Sequence, residues 1–197
     1  MKFTTKKSGF LFLLAGLVFS LLPVISFAGS GDSTSIKPLL KEGDFAPTFA
    51  LKNVGGEWFY LRDFAGTPRQ LMSMPRKPVV ISFFASWCKP CRREIPELQK
   101  LIDKLPADSI QAFLINVADD AEKAVNFVAE FKTTMPVLLD KYGAVAEKYC
   151  PQEAEGQLFL PTLVVVDRDG KVALSKVGYR DGDMDKIELV LTSLLKQ

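Results

Sequence analysis

The sequence predicts an α/β domain, a central mixed sheet with helices on both faces and a β-hairpin extension at the N-terminal side. Three observations carry this. Two apolar runs, 79–84 and 110–116, read as buried strands, and the stretch between them reads as a helix. Two turn signals, Gly55-Gly56 and Asp169-Gly170, each sit between strand-like segments and mark hairpins. The stretch 183–195 is amphipathic, with Met184, Ile187, Val190, Leu191 and Leu194 on one stripe. Hairpin, strand–helix–strand units, hairpin and closing helix together give a sheet that needs cover on both sides.

The elements can be justified in order. Residues 1–28 read as a secretory signal peptide. Lys2, Lys6 and Lys7 form its basic start, 9–25 its apolar stretch, and Ser26-Phe27-Ala28 places small residues for cleavage after Ala28. The competing reading is an uncleaved anchor, since the apolar run is nearly long enough to span a bilayer. Either way the domain is expected outside the cytoplasm, periplasmic or otherwise extracytoplasmic. Residues 29–37 are small and polar, a flexible lead-in to a single domain over 38–197. Residues 45–51 partly alternate, as an edge strand does, and 58–61 is the return strand. The proline-containing stretch 66–78 is a loop ahead of the strand 79–84.

A helix is expected over 92–105, with Pro96 inside it. Asp119 or Asp120 caps a helix to about Phe131, whose stripe is Ala124, Phe127, Val128 and Phe131. A short strand at 135–139, a short helix at 144–149 and the hairpin 163–176 complete the list.

Composition excludes several functions. The chain has no histidine, which removes His-ligated metal, His-ligated haem and any His-based triad. Without the three N-terminal lysines, the 25 basic residues fall to 22 against 23 acidic ones. That balance suggests no nucleic acid and no anionic membrane surface as partner. No cofactor and no metal are expected.

The chemistry concentrates at Ser86-Trp87-Cys88-Lys89-Pro90-Cys91, between a buried strand and a helix. The first turn of a helix carries unpaired N–H groups and a positive dipole end, and both favour a thiolate. Cys88 is therefore the expected nucleophile and Cys91 its resolving partner, with Lys89 adding a cation and Pro90 suited to an early helical position. A structural disulfide or half of a zinc site are the bland alternatives. Four-ligand zinc would need Cys150 and carboxylates to complete it. Glu94, three residues after Cys91, is either a surface acid complementing the helix dipole or a carboxylate that moves the cysteine protons. Cys150 reads either as a small buried hydrophobe or as a second redox thiol. The loop 150–157 that it opens carries two glutamates able to repel acidic partners.

Together these motifs resemble the thioredoxin-fold thiol–disulfide oxidoreductases of the TlpA/ResA type, over roughly Lys41 to the C-terminus. The residues that carry the likeness are Gly43-Asp44-Phe45-Ala46-Pro47-Thr48-Phe49, the Phe84–Cys91 stretch, Glu94-Ile95-Pro96-Glu97-Leu98, Leu160-Pro161-Thr162 and Lys176-Val177-Gly178. The resemblance implies a thioredoxin fold, with Cys88, Cys91 and Glu94 catalytic. It also implies a Trp87 that shields the disulfide, and a cis Pro161 whose neighbour Leu160 pairs with substrate. Thioredoxins carry a buried Asp six residues before the first cysteine. Here that position is Ser82, which makes Glu94 the candidate proton carrier. The expected partners are a protein disulfide substrate, with apocytochrome c cysteines the implied class, and a membrane thiol electron donor.

Other classes stay open. A peroxiredoxin shares the Ala46-Pro47-Thr48-Phe49 opening but needs Thr where Ala85 stands. A Cu(I) chaperone, a disulfide-forming oxidant and a non-catalytic interaction module complete the set.

Overall fold

The computed structural model describes residues 39–66, 75–153 and 155–197. The expected signal peptide, the lead-in and residues 67–74 of the proline-containing loop lie outside the described residues. Among the described residues no helix is long and apolar enough to cross a membrane.

Seven strands form one mixed sheet. They are β1 (Ala50–Asn53), β2 (Trp58–Tyr60), β3 (Val79–Phe84), β4 (Gln111–Val117), β5 (Val137–Asp140), β6 (Thr162–Val166) and β7 (Val172–Val177). Their spatial order is β2-β1-β5-β4-β3-β6-β7. The core strands β3, β4 and β5 run parallel, and every other pairing is antiparallel. The described residues form four helices: α1 (Cys91–Lys104), α2 (Ala121–Ala129), α3 (Ala146–Tyr149) and α4 (Asp183–Leu195).

The side-chain period of two sorts the apolar residues onto two faces. Val80 and Phe84 of β3, Leu114 of β4 and Leu163 of β6 meet Ile95 and Leu98 of α1, Phe127 of α2 and Leu191 of α4. Val79, Ile81 and Phe83, with Phe113 and Ile115, meet Phe49, Leu61, Phe64 and the α3 residues Ala146 and Tyr149. All six β3 residues are buried, as a strand with neighbours on both edges and layers on both faces requires. The helical cover is uneven. Three helices lie on one face, and α3 with a 3₁₀ turn at Leu61–Asp63 covers the other.

Several expected elements differ in their bounds: β5 starts at Val137 rather than 135, α3 at Ala146 rather than 144, and α2 ends at Ala129 rather than about Phe131. The first strand starts at Ala50, not at residue 45, because Pro47 has no N–H to give a ladder. Phe45 makes only an isolated bridge to Lys171, and Ala46 and Phe49 go into the core. Nor is β1 an edge. It pairs with β5, and β2 is the outer strand. The helix after the cysteine motif begins at Cys91 rather than Arg92, with Pro90 as its N-cap. It runs through Pro96 to Lys104 as one segment.

One irregularity matters for the site. A bulge between Val165 and Val166 leaves Ala173 as the extra residue of β7. Val172 lies opposite Val166 on the α3 face, but Leu174 and Lys176 lie opposite Val165 and Leu163 on the α1 face. An extra residue in a strand moves the side chains beyond it to the other face.

Candidate active site

The cysteine motif hangs between the end of β3 and the start of α1. The backbone N–H of Cys88 donates to the Ala85 carbonyl (3.0 Å), closing a turn at Ser86-Trp87. Cys88 and Cys91 form a disulfide with their Cα atoms 5.4 Å apart. The N–H of Cys91, first residue of α1, points at Cys88 Sγ (3.3 Å). It is one of the donors that a helix start leaves without an intrahelical partner. Cys91 is wholly buried, Cys88 is 3% exposed, and Trp87 beside them is 61% exposed.

Asp119 anchors this turn from the β4–α2 connection. Its carboxylate accepts from the Ser86 N–H (2.6 Å), the Ser86 hydroxyl (2.9 Å) and the Asn116 side-chain amide (2.8 Å). Ala118 before it takes a left-handed φ of 62°. Asp120, not Asp119, caps α2, through the N–H of Lys123.

Glu94 is not a surface acid. It lies one turn after Cys91 on α1 and is completely buried. Residues three apart on a helix stand as neighbours on one face, with Cβ atoms about 5–6 Å apart. The Ser82 hydroxyl donates to Glu94 Oε1 (2.7 Å), and the Lys176 ammonium donates to Oε2 (3.1 Å). The carboxyl thus sits against the strand position where thioredoxins carry their buried Asp. Burial pushes its pKa up, and the Lys176 charge and the Ser82 and Lys176 hydrogen bonds pull against that rise.

The Leu160–Pro161 peptide is cis, as the resemblance implies. Pro161 is buried, Leu160 is half-buried, and the Pro161 carbonyl accepts from the N–H of Gly178 (2.8 Å). Phe159 N–H donates to the Pro151 carbonyl, and Gln152 bridges Leu158, so Pro151-Gln152 and Leu158-Phe159 lie side by side just before the cis bond. Cys150 is buried with the α3-face residues, whereas Cys88 and Cys91 belong to the α1-face core. The sheet separates them.

Sequence reasoning missed Lys176 as part of this site. Counted at period two from Val172, it falls on the wrong face, and only the bulge at Ala173 turns it inward. The sequence offers Asp119 or Asp120 as the cap of α2, and Asp120 takes that place. Of the partners of Asp119, Asn116 is local, but Ser86, in the turn after β3, is connected to it by no local pattern.

The AhpC/TSA family profile matches residues 43–175. The thiol-disulfide oxidoreductase ResA of Bacillus thuringiensis subsp. konkukian is 33% identical over 131 residues, 66% of this chain. That match spans 66% of the relative, just under two thirds of its length. The thioredoxin-like protein YneN of Bacillus subtilis is 34% identical over 142 residues, 71% of this chain and 73% of the relative. Among solved structures, a thioredoxin-family thiol:disulfide interchange protein of Chlorobium tepidum aligns with TM-score 0.60 at 23% identity. The alignment covers 79% of this chain and 98% of that one, a likeness of fold.

Proposed function

The chain belongs to the AhpC/TSA family, with its ResA-like thiol–disulfide oxidoreductases, and we propose that it reduces protein disulfides outside the cytoplasm through Cys88 and Cys91. The observation that supports this best is the Cys91 N–H aimed at Cys88 Sγ at the start of α1. When the disulfide opens, that N–H and the helix dipole favour negative charge on Cys88 sulfur.

The reaction then runs in two exchanges. The Cys88 thiolate attacks one sulfur of a substrate disulfide. A Cys88–substrate disulfide forms, and the other substrate sulfur leaves as a thiolate. Glu94 takes the proton of the Cys91 thiol, one helical turn away. The Cys91 thiolate attacks Cys88 sulfur, the Cys88–Cys91 disulfide forms, and the second substrate sulfur leaves. Two electrons pass to the substrate, and a dithiol donor at the membrane must return two to this protein. Leu160 and Pro161, with the exposed Trp87, form the surface that receives the substrate chain. The buried methyl of Ala85 offers no hydroxyl three residues before Cys88, which argues for disulfide rather than peroxide chemistry. Cleavage after Ala28 would release the domain 38–197. Unmatured cytochrome c cysteines are the substrate class that the family suggests.

Trapping tests the proposal. Cys91→Ser, reduced and mixed with a disulfide-containing peptide, should accumulate a covalent adduct that dithiothreitol releases. Cys88→Ser should give none. Equal adduct from both variants, or none from Cys91→Ser, would refute the assignment.

A further inference from the structure

We propose that Lys176 sets the charge of Glu94 and that Asp183 competes with Glu94 for the Lys176 ammonium, so that the proton of the buried carboxyl answers to a solvent pocket between β7 and α4. The role in exchange rests on the redox reading of Cys88 and Cys91. The charge coupling itself does not.

The sheet register brings the groups together. Ser82 lies opposite Leu163, and Leu163 lies opposite Lys176. These three residues form a row across β3, β6 and β7 on the face that α1 covers. Glu94 reaches down from α1 and spans the row, touching Ser82 with one oxygen and Lys176 with the other. The Ala173 bulge is the reason that Lys176 belongs to the row at all.

An ammonium has three N–H donors. All three of Lys176 have acceptors: Glu94 Oε2 at 3.1 Å, Asp183 Oδ2 at 3.1 Å and the Gly178 carbonyl at 2.5 Å. Its side chain is 15% exposed, between a Glu94 with no exposure and a pocket of about 260 Å³. That pocket is lined by Leu174, Ser175, Lys176, Arg180, Asp183 and Lys186, among others. Lys176 thus connects the buried acid to water.

The charged and titratable groups facing the pair can be named element by element. Cys91 and Glu94 come from α1, Ser82 from β3 and Asp183 from α4. The Tyr179 ring centroid stands 5.7 Å from the ammonium and 5.3 Å from the Arg93 guanidinium carbon. Lys186 and the Arg180 N–H act on Asp183. For Asp183, burial raises the pKa, but the Arg180 N–H and the Lys176 ammonium outweigh it and hold the carboxyl ionised.

Two carboxylates therefore share one ammonium. Without it, Glu94 would keep only the Ser82 hydroxyl as partner in an otherwise apolar interior and would hold its proton. It could not then take the Cys91 proton. With it, the S–H bond of Cys91 breaks, an O–H bond forms on Glu94 and the negative charge passes to sulfur.

The test is direct titration of Glu94 by carbon NMR of glutamate-labelled, oxidised protein, which needs no substrate and no activity. Lys176→Met should raise the Glu94 midpoint by about one pH unit or more, at least tenfold in proton affinity. Lys176→Arg should bring it back close to wild type. Asp183→Asn, which keeps the lysine, should lower the midpoint. The pH profile of peptide-disulfide reduction should move upward in Lys176→Met and return in Lys176→Arg. An unmoved Glu94 midpoint in Lys176→Met overturns the proposal, and so does an unmoved one in Asp183→Asn should the methionine variant not fold. If the Cys91→Ser trap fails while the midpoint follows Lys176, the redox reading falls and the charge coupling stands.

Discussion

Replacing Asp119 by alanine should cost stability well beyond a surface change. Its carboxylate accepts three hydrogen bonds, at 2.6, 2.9 and 2.8 Å, from Ser86 and Asn116. Hydrogen bonds to a charged group are worth about 1.5–3 kcal/mol each when well buried. Asp119 is half-buried, so water recovers part of that for the freed donors. About 1 kcal/mol per bond remains, plus looser support for the left-handed Ala118. The sum is about 2–4 kcal/mol, a large share of the roughly 5–15 kcal/mol that holds a domain of this kind. Asp119→Asn keeps one good acceptor and loses the charge, so it should cost about half as much. Urea unfolding of the oxidised proteins, with equal m-values, measures both. A loss below about 0.5 kcal/mol for Asp119→Ala, the range of ordinary surface substitutions, would refute the claim that Asp119 pins the turn before Cys88.

Glu94→Gln should slow disulfide reduction by about 10²–10⁴-fold, the usual worth of a positioned proton carrier, and flatten its pH profile. A wild-type rate across about pH 6–9, where thiols titrate, would contradict that role. The same variant has a stability signature. Burial raises the Glu94 pKa above its unfolded value, so its favourable contribution is present in acid and is lost as pH climbs through the folded pKa. Denaturation against pH should show Glu94→Gln gaining on wild type over that rise, and a constant difference would contradict it. Phe113→Ala should cost about 3–5 kcal/mol by urea unfolding. The rings of Phe49, Phe59 and Phe64 meet Phe113 with centroids 5.5–6.5 Å away, and none can fill the space it leaves.

Legibility in the sequence followed the range of the forces involved. The strand 79–84 and the helix 183–195 match the structure residue for residue, because five apolar residues out of six and a five-residue stripe are local signals. The Asp169-Gly170 hairpin was equally plain, with Gly170 at a positive φ of 84° where a side chain would meet the Gly66 backbone. The first strand misled because alternation over 45–51 is a pattern of side chains, while Pro47 acts on the backbone ladder. The cysteine pair was readable from its spacing at a strand-to-helix turn, but spacing alone left Glu94 open between a surface acid and a carboxylate of the site. Their surroundings were not readable. Ser82 and Lys176 reach Glu94 from β3 and β7, Asp183 reaches Lys176 from α4, and the face that Lys176 takes depends on a single extra residue in β7. The burial of Cys150 on the opposite side of the sheet from Cys88 likewise depends on the packing of α3, which no local pattern shows.

The most direct test of the central claim is the reduction potential of the Cys88–Cys91 pair, measured by equilibration in thiol buffers with the fluorescence of Trp87 as readout. A protein that gives electrons to disulfides should lie at about −270 mV, as thioredoxin does. A value of about −120 mV, that of a strong oxidant such as DsbA, would mean that this site makes disulfides and would contradict the reductive assignment.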